Sequence, residues 1–110
     1  MPRKLKLHER VTTVVEYERV LNDFFSRRDA LYIIDVLLIL GTVKYVVAEK
    51  LYRESKLYKS AIKYLTERGL VSSQHGDKAS VLYLTERGIE LANLIRRVLE
   101  LLRRSESHER

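Results

Sequence analysis

Between Lys50 and Arg68 the side chains sort by helical spacing. Tyr58, Ala61, Ile62 and Leu65 fall on one face, and Lys56, Lys59, Ser60 and Lys63 fall on the opposite one. The pattern predicts an amphipathic helix over 55–68, with Ser55 as its N-cap. Earlier, Val14, Tyr17, Leu21 and Phe24 recur at steps of three and four, which predicts a helix over 11–26 despite the β-branched run that begins it. Ser26 and Asp29 can cap a next helix from Ala30 to Leu40, apolar almost all round as the central helix of a small bundle should be, and Gly41 is expected to end it. Thr42 can then cap a short helix from Val43 to Leu51, with Val43, Val46, Val47 and Leu51 inward and Lys44 and Lys50 outward.

Gly69 stands where a helix C-cap needs a left-handed residue. Two short β-prone stretches then flank the polar tip His75-Gly76-Asp77-Lys78, which predicts a hairpin over 70–84. Thr85 can cap a last helix over 85–104, and Glu86 suits the positive end of its dipole. In that helix Leu91, Ile95, Val98 and Leu102 step by four, three and four, and Leu94, Leu99 and Leu101 widen the stripe. One small domain cannot cover so much apolar surface, so Leu91, Leu94, Ile95, Val98, Leu101 and Leu102 are the expected interface with a second copy. Residues 1–10 form an expected basic arm, and residues 105–110 an expected disordered tail.

At 110 residues the chain is long enough for one domain with a modest core, here 11–104. Its 21 Lys and Arg against 15 Asp and Glu give a net charge of +6, which favours polyanionic partners. With no cysteine, disulfides, thiolate zinc sites and cysteine nucleophiles are excluded. The start MPRKLKLHER lacks an apolar core after its basic residues, so a secretory signal is not expected and a cytoplasmic, nucleoid-associated location is. The most apolar window, Ala30 to Ala48, carries Asp35, Lys44 and Gly41, which argues against a membrane span. Abundant Lys, Glu and Arg with few Asn and Gln resembles thermophile usage. His8, His75 and His108 sit in an arm, a turn and a tail with no carboxylate at metal-binding or acid-base spacing, so neither catalysis nor a cofactor or metal is expected.

The outer face of the 55–68 helix carries cations and a hydroxyl and no carboxylate, which suits phosphates and base edges. Lys56, Lys59, Ser60 and Lys63 are the expected centre of a DNA contact, with Tyr64 at its edge either packing or touching a base. Lys44, Lys50 and Arg53 would hold the backbone and fix the register. Gln74, His75 and Lys78 at the hairpin would touch phosphate or the minor groove, with Asp77 as a turn former. Arg3 and Lys4, with Lys6, would reach into a minor groove as a flexible arm.

The order of helix, helix, short helix, turn, helix, hairpin and long helix resembles a winged helix-turn-helix domain. The residues that carry the likeness are Leu57-Tyr58, Ala61-Ile62 with Leu65, the turn Glu67-Arg68-Gly69-Leu70-Val71, and Tyr83-Leu84-Thr85-Glu86-Arg87-Gly88. Over roughly residues 29 to 104 the chain is similar to PadR-like and MarR-like transcription regulators of archaea and bacteria. The resemblance implies a mainly α fold with a small β wing (α+β), a third helix in the major groove of double-stranded DNA, a wing on the backbone or minor groove, and a long last helix that makes a homodimer. The chain departs from those families in showing no distinctive polar cluster for an effector pocket. Three functions fit: a site-specific transcription regulator, a DNA-organising or plasmid-partition protein that spreads in multimers, and a protein-interaction module.

Overall fold

The computed structural model describes residues 7–108, ordered as α1 (Leu7–Phe25), α2 (Ala30–Thr42), β1 (Val46–Val47), α3 (Ala48–Glu54), α4 (Lys56–Glu67), β2 (Val71–His75), β3 (Ser80–Leu84) and α5 (Glu86–His108). The molecule is mainly helical with a small antiparallel sheet of strand order β1-β3-β2. Among the described residues, no helix is long and apolar enough to cross a membrane.

α2 runs through the middle of the core. Its Ile33, Val36, Leu37 and Leu40 are buried against Tyr58, Ala61, Ile62 and Leu65 of α4, Val71, Leu82 and Leu84 of the sheet, Ala48 and Leu51 of α3, and Ala92 of α5. Each fully buried aliphatic side chain contributes about 1.5–3 kcal/mol from burial alone, so this cluster is the main source of stability.

Three backbone features join α4, the hairpin and α5 at one corner. Gly69, at φ 70°, closes α4 in a Schellman arrangement, with Gly69 N–H donating to Thr66 O (3.1 Å) and Leu70 N–H to Leu65 O (3.0 Å). The Thr85 hydroxyl donates to Gly69 O (2.7 Å) and accepts from Gly88 N–H (3.1 Å), so it caps α5 while holding the end of α4. A Cβ on Gly88 would lie 1.9 Å from Leu70 O, so only glycine allows α5 to start there.

Several boundaries differ from the sequence expectation. α1 begins at Leu7, so residues 7–10 belong to a helix and not to an arm, and α5 continues through 105–108 where a disordered tail was expected. Gly41 does not end α2; it lies in the last turn, and a Cβ there would sit 3.3 Å from Ala92 Cβ, which marks the close packing of α2 on α5. Thr42 caps nothing, since its hydroxyl donates back to Leu38 O at 2.9 Å. The expected helix from Val43 is instead a loop over 43–45 and the strand β1, which pairs Val46 with Leu82 and Val47 with Val81. The hairpin is therefore part of a three-stranded sheet.

α1 and α5 extend beyond this body. The radius of gyration is 17.4 Å, against about 13 Å for a compact chain of this length. Phe24 packs beside Tyr64 with ring centroids 6.2 Å apart, whereas Val15, Tyr17, Val20, Leu21 and Phe25 of α1 are exposed.

Candidate nucleic-acid interface

α4 starts cleanly because Ser55 accepts the Leu57 N–H at 3.1 Å. Its charges then run against its dipole. Lys56 opens the helix, Lys59 follows within a turn, no carboxylate stands in the first turn, and Glu67 closes it. Cations at a helix N-terminus oppose the positive end of the dipole, and Lys59 and Lys63 repel each other at i,i+4. All three lysines are exposed, and none has an ion-pair partner among the described residues. A polyanion laid along this face would turn the unfavourable arrangement into a favourable one.

The lysine face is one wall of an open groove of about 550 Å³. Lys56, Lys59, Lys63 and Thr66 line it from α4, Ser73, His75 and Ser80 from the hairpin, and Tyr52 from α3. The hairpin residues arrive there by strand alternation: the register Val71↔Leu84, Ser73↔Leu82 and His75↔Ser80 puts these pairs on the sheet face that packs toward α4. His75 Nδ1 and Ser80 Oγ share a hydrogen bond of 2.8 Å that fixes both side chains, and Ser80 N–H points at both Glu49 carboxylate oxygens at 3.4 Å. Glu67 also lines the groove, so this surface is not wholly free of carboxylate as the helix pattern had suggested.

Ser60 also lines this groove, but its hydroxyl hydrogen is engaged, donating to Asp29 Oδ2 at 2.6 Å, and Asp29 is only 3% exposed. Nor does Asp29 cap α2 with its side chain; it accepts two hydrogen bonds from Arg27, Nε at 2.8 Å and Nη2 at 3.0 Å. The Arg27 guanidinium holds the Asp29 carboxyl below the usual carboxylate range against the opposing effect of burial, with Ser60 helping, and the Arg27 pKa is raised in turn. Tyr64 packs: it lies beside Phe24, with the Arg27 guanidinium 4.4 Å and the Arg68 guanidinium 3.6 Å from its ring centroid. It sits in the wall of a separate apolar cavity of about 340 Å³, with Phe24, Ile33, Leu37, Leu91 and Ile95, so it does not belong to the lysine face.

The remaining expected contacts divide. Lys50 and Arg53 are exposed on α3, and Lys78 is exposed at the hairpin tip. Lys44 is not on a helix; it lies in the 43–45 loop beside a cleft with Leu84, Ile89 and Asn93, away from the α4 groove. Gln74 shares a cleft with Tyr45 and Val81 on the opposite sheet face from Ser73. Arg3 and Lys4 lie outside the described residues. On α5, Leu94, Val98, Leu101 and Leu102 are exposed, while Leu91 and Ile95 are half-buried on the chain's own core. Sequence reasoning missed Ser73, Ser80 and Thr66 as groove residues, although the period-two alternation around His75 carried the signal for the first two. Comparisons with protein-family models, curated proteins and solved structures found no match for this chain.

Proposed function

We propose that the protein is a double-stranded DNA-binding protein of the winged helix-turn-helix kind that acts as a homodimer, with transcription regulation as its role. The observation that carries this reading is the row Lys56, Lys59 and Lys63: exposed, unpaired among the described residues, begun by Lys56 against the helix dipole, and flanked by the polar hairpin wall of Ser73, His75 and Ser80. α4 enters the major groove, the lysines take phosphates on either side, and the hairpin lies on the adjoining backbone as a wing. Lys50, Arg53 and Lys78 are further backbone contacts. The exposed stripe Leu94, Val98, Leu101 and Leu102 joins two copies, so that two α4 helices meet successive major grooves about 34 Å apart. No catalytic step and no cofactor form part of this reading.

The test is anisotropy titration of labelled duplexes, one from upstream of the protein's own gene and one shuffled, at several salt concentrations. With roughly six to ten phosphates neutralised per dimer, affinity falls about 10³- to 10⁵-fold between about 50 and 200 mM salt. Preference for the upstream duplex with saturation at one dimer fits a regulator. A second reading, a DNA-organising or partition protein that spreads, is favoured by α1: its exposed Val15, Tyr17, Val20, Leu21 and Phe25 supply a second apolar face beyond the α5 stripe. It requires equal affinity for both duplexes and more protein bound as the duplex lengthens.

A further inference from the structure

The face of the sheet turned away from α4 carries two tyrosines that the DNA-binding reading does not use. Tyr83 lies on β3 opposite Ser72, on the face shared with Val81 and Gln74. Tyr45 immediately precedes Val46, which pairs with Leu82, so one further step of that register puts Tyr45 on the same sheet face as Tyr83. Tyr45 is 62% exposed and Tyr83 38%. Among the described residues neither has a ring or hydroxyl partner, whereas Tyr32, Tyr58 and Tyr64 are all tied into ring contacts. Tyr45, Gln74 and Val81 also line a shallow cleft of about 370 Å³. Lys78 at the hairpin tip is exposed at one end of β3, and at the other end Lys44, next to Tyr45, is exposed in the cleft with Leu84, Ile89 and Asn93; neither has an ion-pair partner among the described residues. Five residues of β3 span about 17 Å between those ends.

We infer that this outer sheet face is a second nucleic-acid site, which binds a single-stranded polynucleotide by stacking unpaired bases on Tyr45 and Tyr83. Exposed aromatic rings on a sheet offer π-faces to any base, Lys78 can hold the backbone at the hairpin end, and the flexible Lys44 can reach it past the edge at the other. Gln74 adds an amide that can donate to and accept from a base edge. A duplex cannot use the rings, because its bases are already stacked on one another. Asp77 is the carboxylate at the tip, and its neighbour Lys78 offsets it. The two tyrosines lie on the sheet face opposite the one that lines the α4 groove, and the two sites meet at the hairpin tip, where His75 lines both.

The full-length protein is titrated into a labelled short oligothymidylate, a short oligouridylate and a duplex, with anisotropy as the readout. Binding of either single strand is expected, and the tighter of the two identifies DNA or RNA as the source. Tyr45→Ala and Tyr83→Thr should each weaken it by about 5- to 150-fold per stacked base. Tyr45→Phe and Tyr83→Phe should retain it, and all four variants should keep the wild-type thermal transition and duplex affinity within about twofold, because the α4 phosphate contacts are untouched. Three results would overturn the inference: no single-strand binding by the wild type, loss of that binding on Lys59→Glu with Lys63→Glu but not on the tyrosine changes, or a change in sedimentation with the tyrosine variants, which would make the face a contact between copies. A failure of the duplex arm alone would refute the proposed function and leave this site standing.

Discussion

Ser60 and Asp29, 31 residues apart, meet through a hydrogen bond of 2.6 Å in which the hydroxyl donates to a buried carboxylate. That bond ties the turn before α2 to the middle of α4, and Arg27 completes it with a bidentate pair. A residue expected to face DNA thus also belongs to the brace that positions α4.

Ser60→Ala should therefore cost about 1.5–3 kcal/mol of stability, the range for a hydrogen bond to a charged group, and leave preference among DNA sequences unchanged. Urea unfolding with parallel binding titrations measures both. The pH dependence follows from the lowered Asp29 pKa: its stabilising contribution is present above the unfolded value near 3.9 and is lost as pH falls through the lower folded value. Asp29→Asn should be less stable than wild type at neutral pH and should lose less stability on acidification through that window.

Lys56→Glu should move stability and binding in opposite directions. An anion in the first turn of α4 stabilises the helix by about 0.3–1 kcal/mol. The same change puts a carboxylate against phosphate, so duplex affinity should fall and the dependence on salt should become shallower. Thermal unfolding and anisotropy on one preparation suffice. A loss of both would mean that the helix face is structural.

Tyr58 donates its hydroxyl to Asp35 beneath the surface, and this bond together with burial pushes the phenol up to about 12. Tyr58→Phe strips Asp35 of that donor and should destabilise the fold by about 1–3 kcal/mol. Because the folded pKa is raised, the tyrosine's contribution is full below the unfolded value near 10 and declines as pH rises toward about 12. Alkaline unfolding of the wild type should thus begin above about pH 10, and the phenylalanine variant should lack that component.

For association, Val98 is the informative position and Ile95 is not. Val98 is 54% exposed in the single chain, so Val98→Glu should leave the fold intact while burying a charge in any interface that forms there. Monomers with weakened duplex binding are the expected outcome in sedimentation. Ile95 packs against the chain's own core, so Ile95→Glu should lower the melting temperature as well, and its effect on assembly would be confounded.

What the sequence disclosed follows from how local each signal is. Ser55, Gly69 and Thr85 act on backbone groups within a few residues of themselves, and each was legible as a helix boundary. The faces of α4 were equally legible, since a period of 3.6 needs no tertiary information. β1 was not. Val46 and Val47 fit a helical stripe as well as a strand, and what decides between them is Leu82 and Val81, about 35 positions further on. The same distance effect hides the bond between Ser60 and Asp29, whereas Arg27, the other partner of Asp29, stands only two residues away. For Tyr64 the helical period alone does not separate packing from contact, and the Arg27 and Arg68 guanidinium groups over its ring decide for packing.

The corner at Gly69, Leu70, Thr85 and Gly88 has a mechanical consequence. Two carbonyls of the turn between α4 and the hairpin hold the residue that begins α5, with Leu70 O taking the Thr85 N–H at 3.1 Å and Gly69 O taking its hydroxyl. The joint is close-packed, since the Gly88 backbone approaches Leu70 O to where a Cβ would lie only 1.9 Å away. A small tilt of α5 would be carried to α4 as if through a set square. In a pair joined along α5, the crossing angle of two helices would then act as the gauge that sets how far apart the two lysine rows stand.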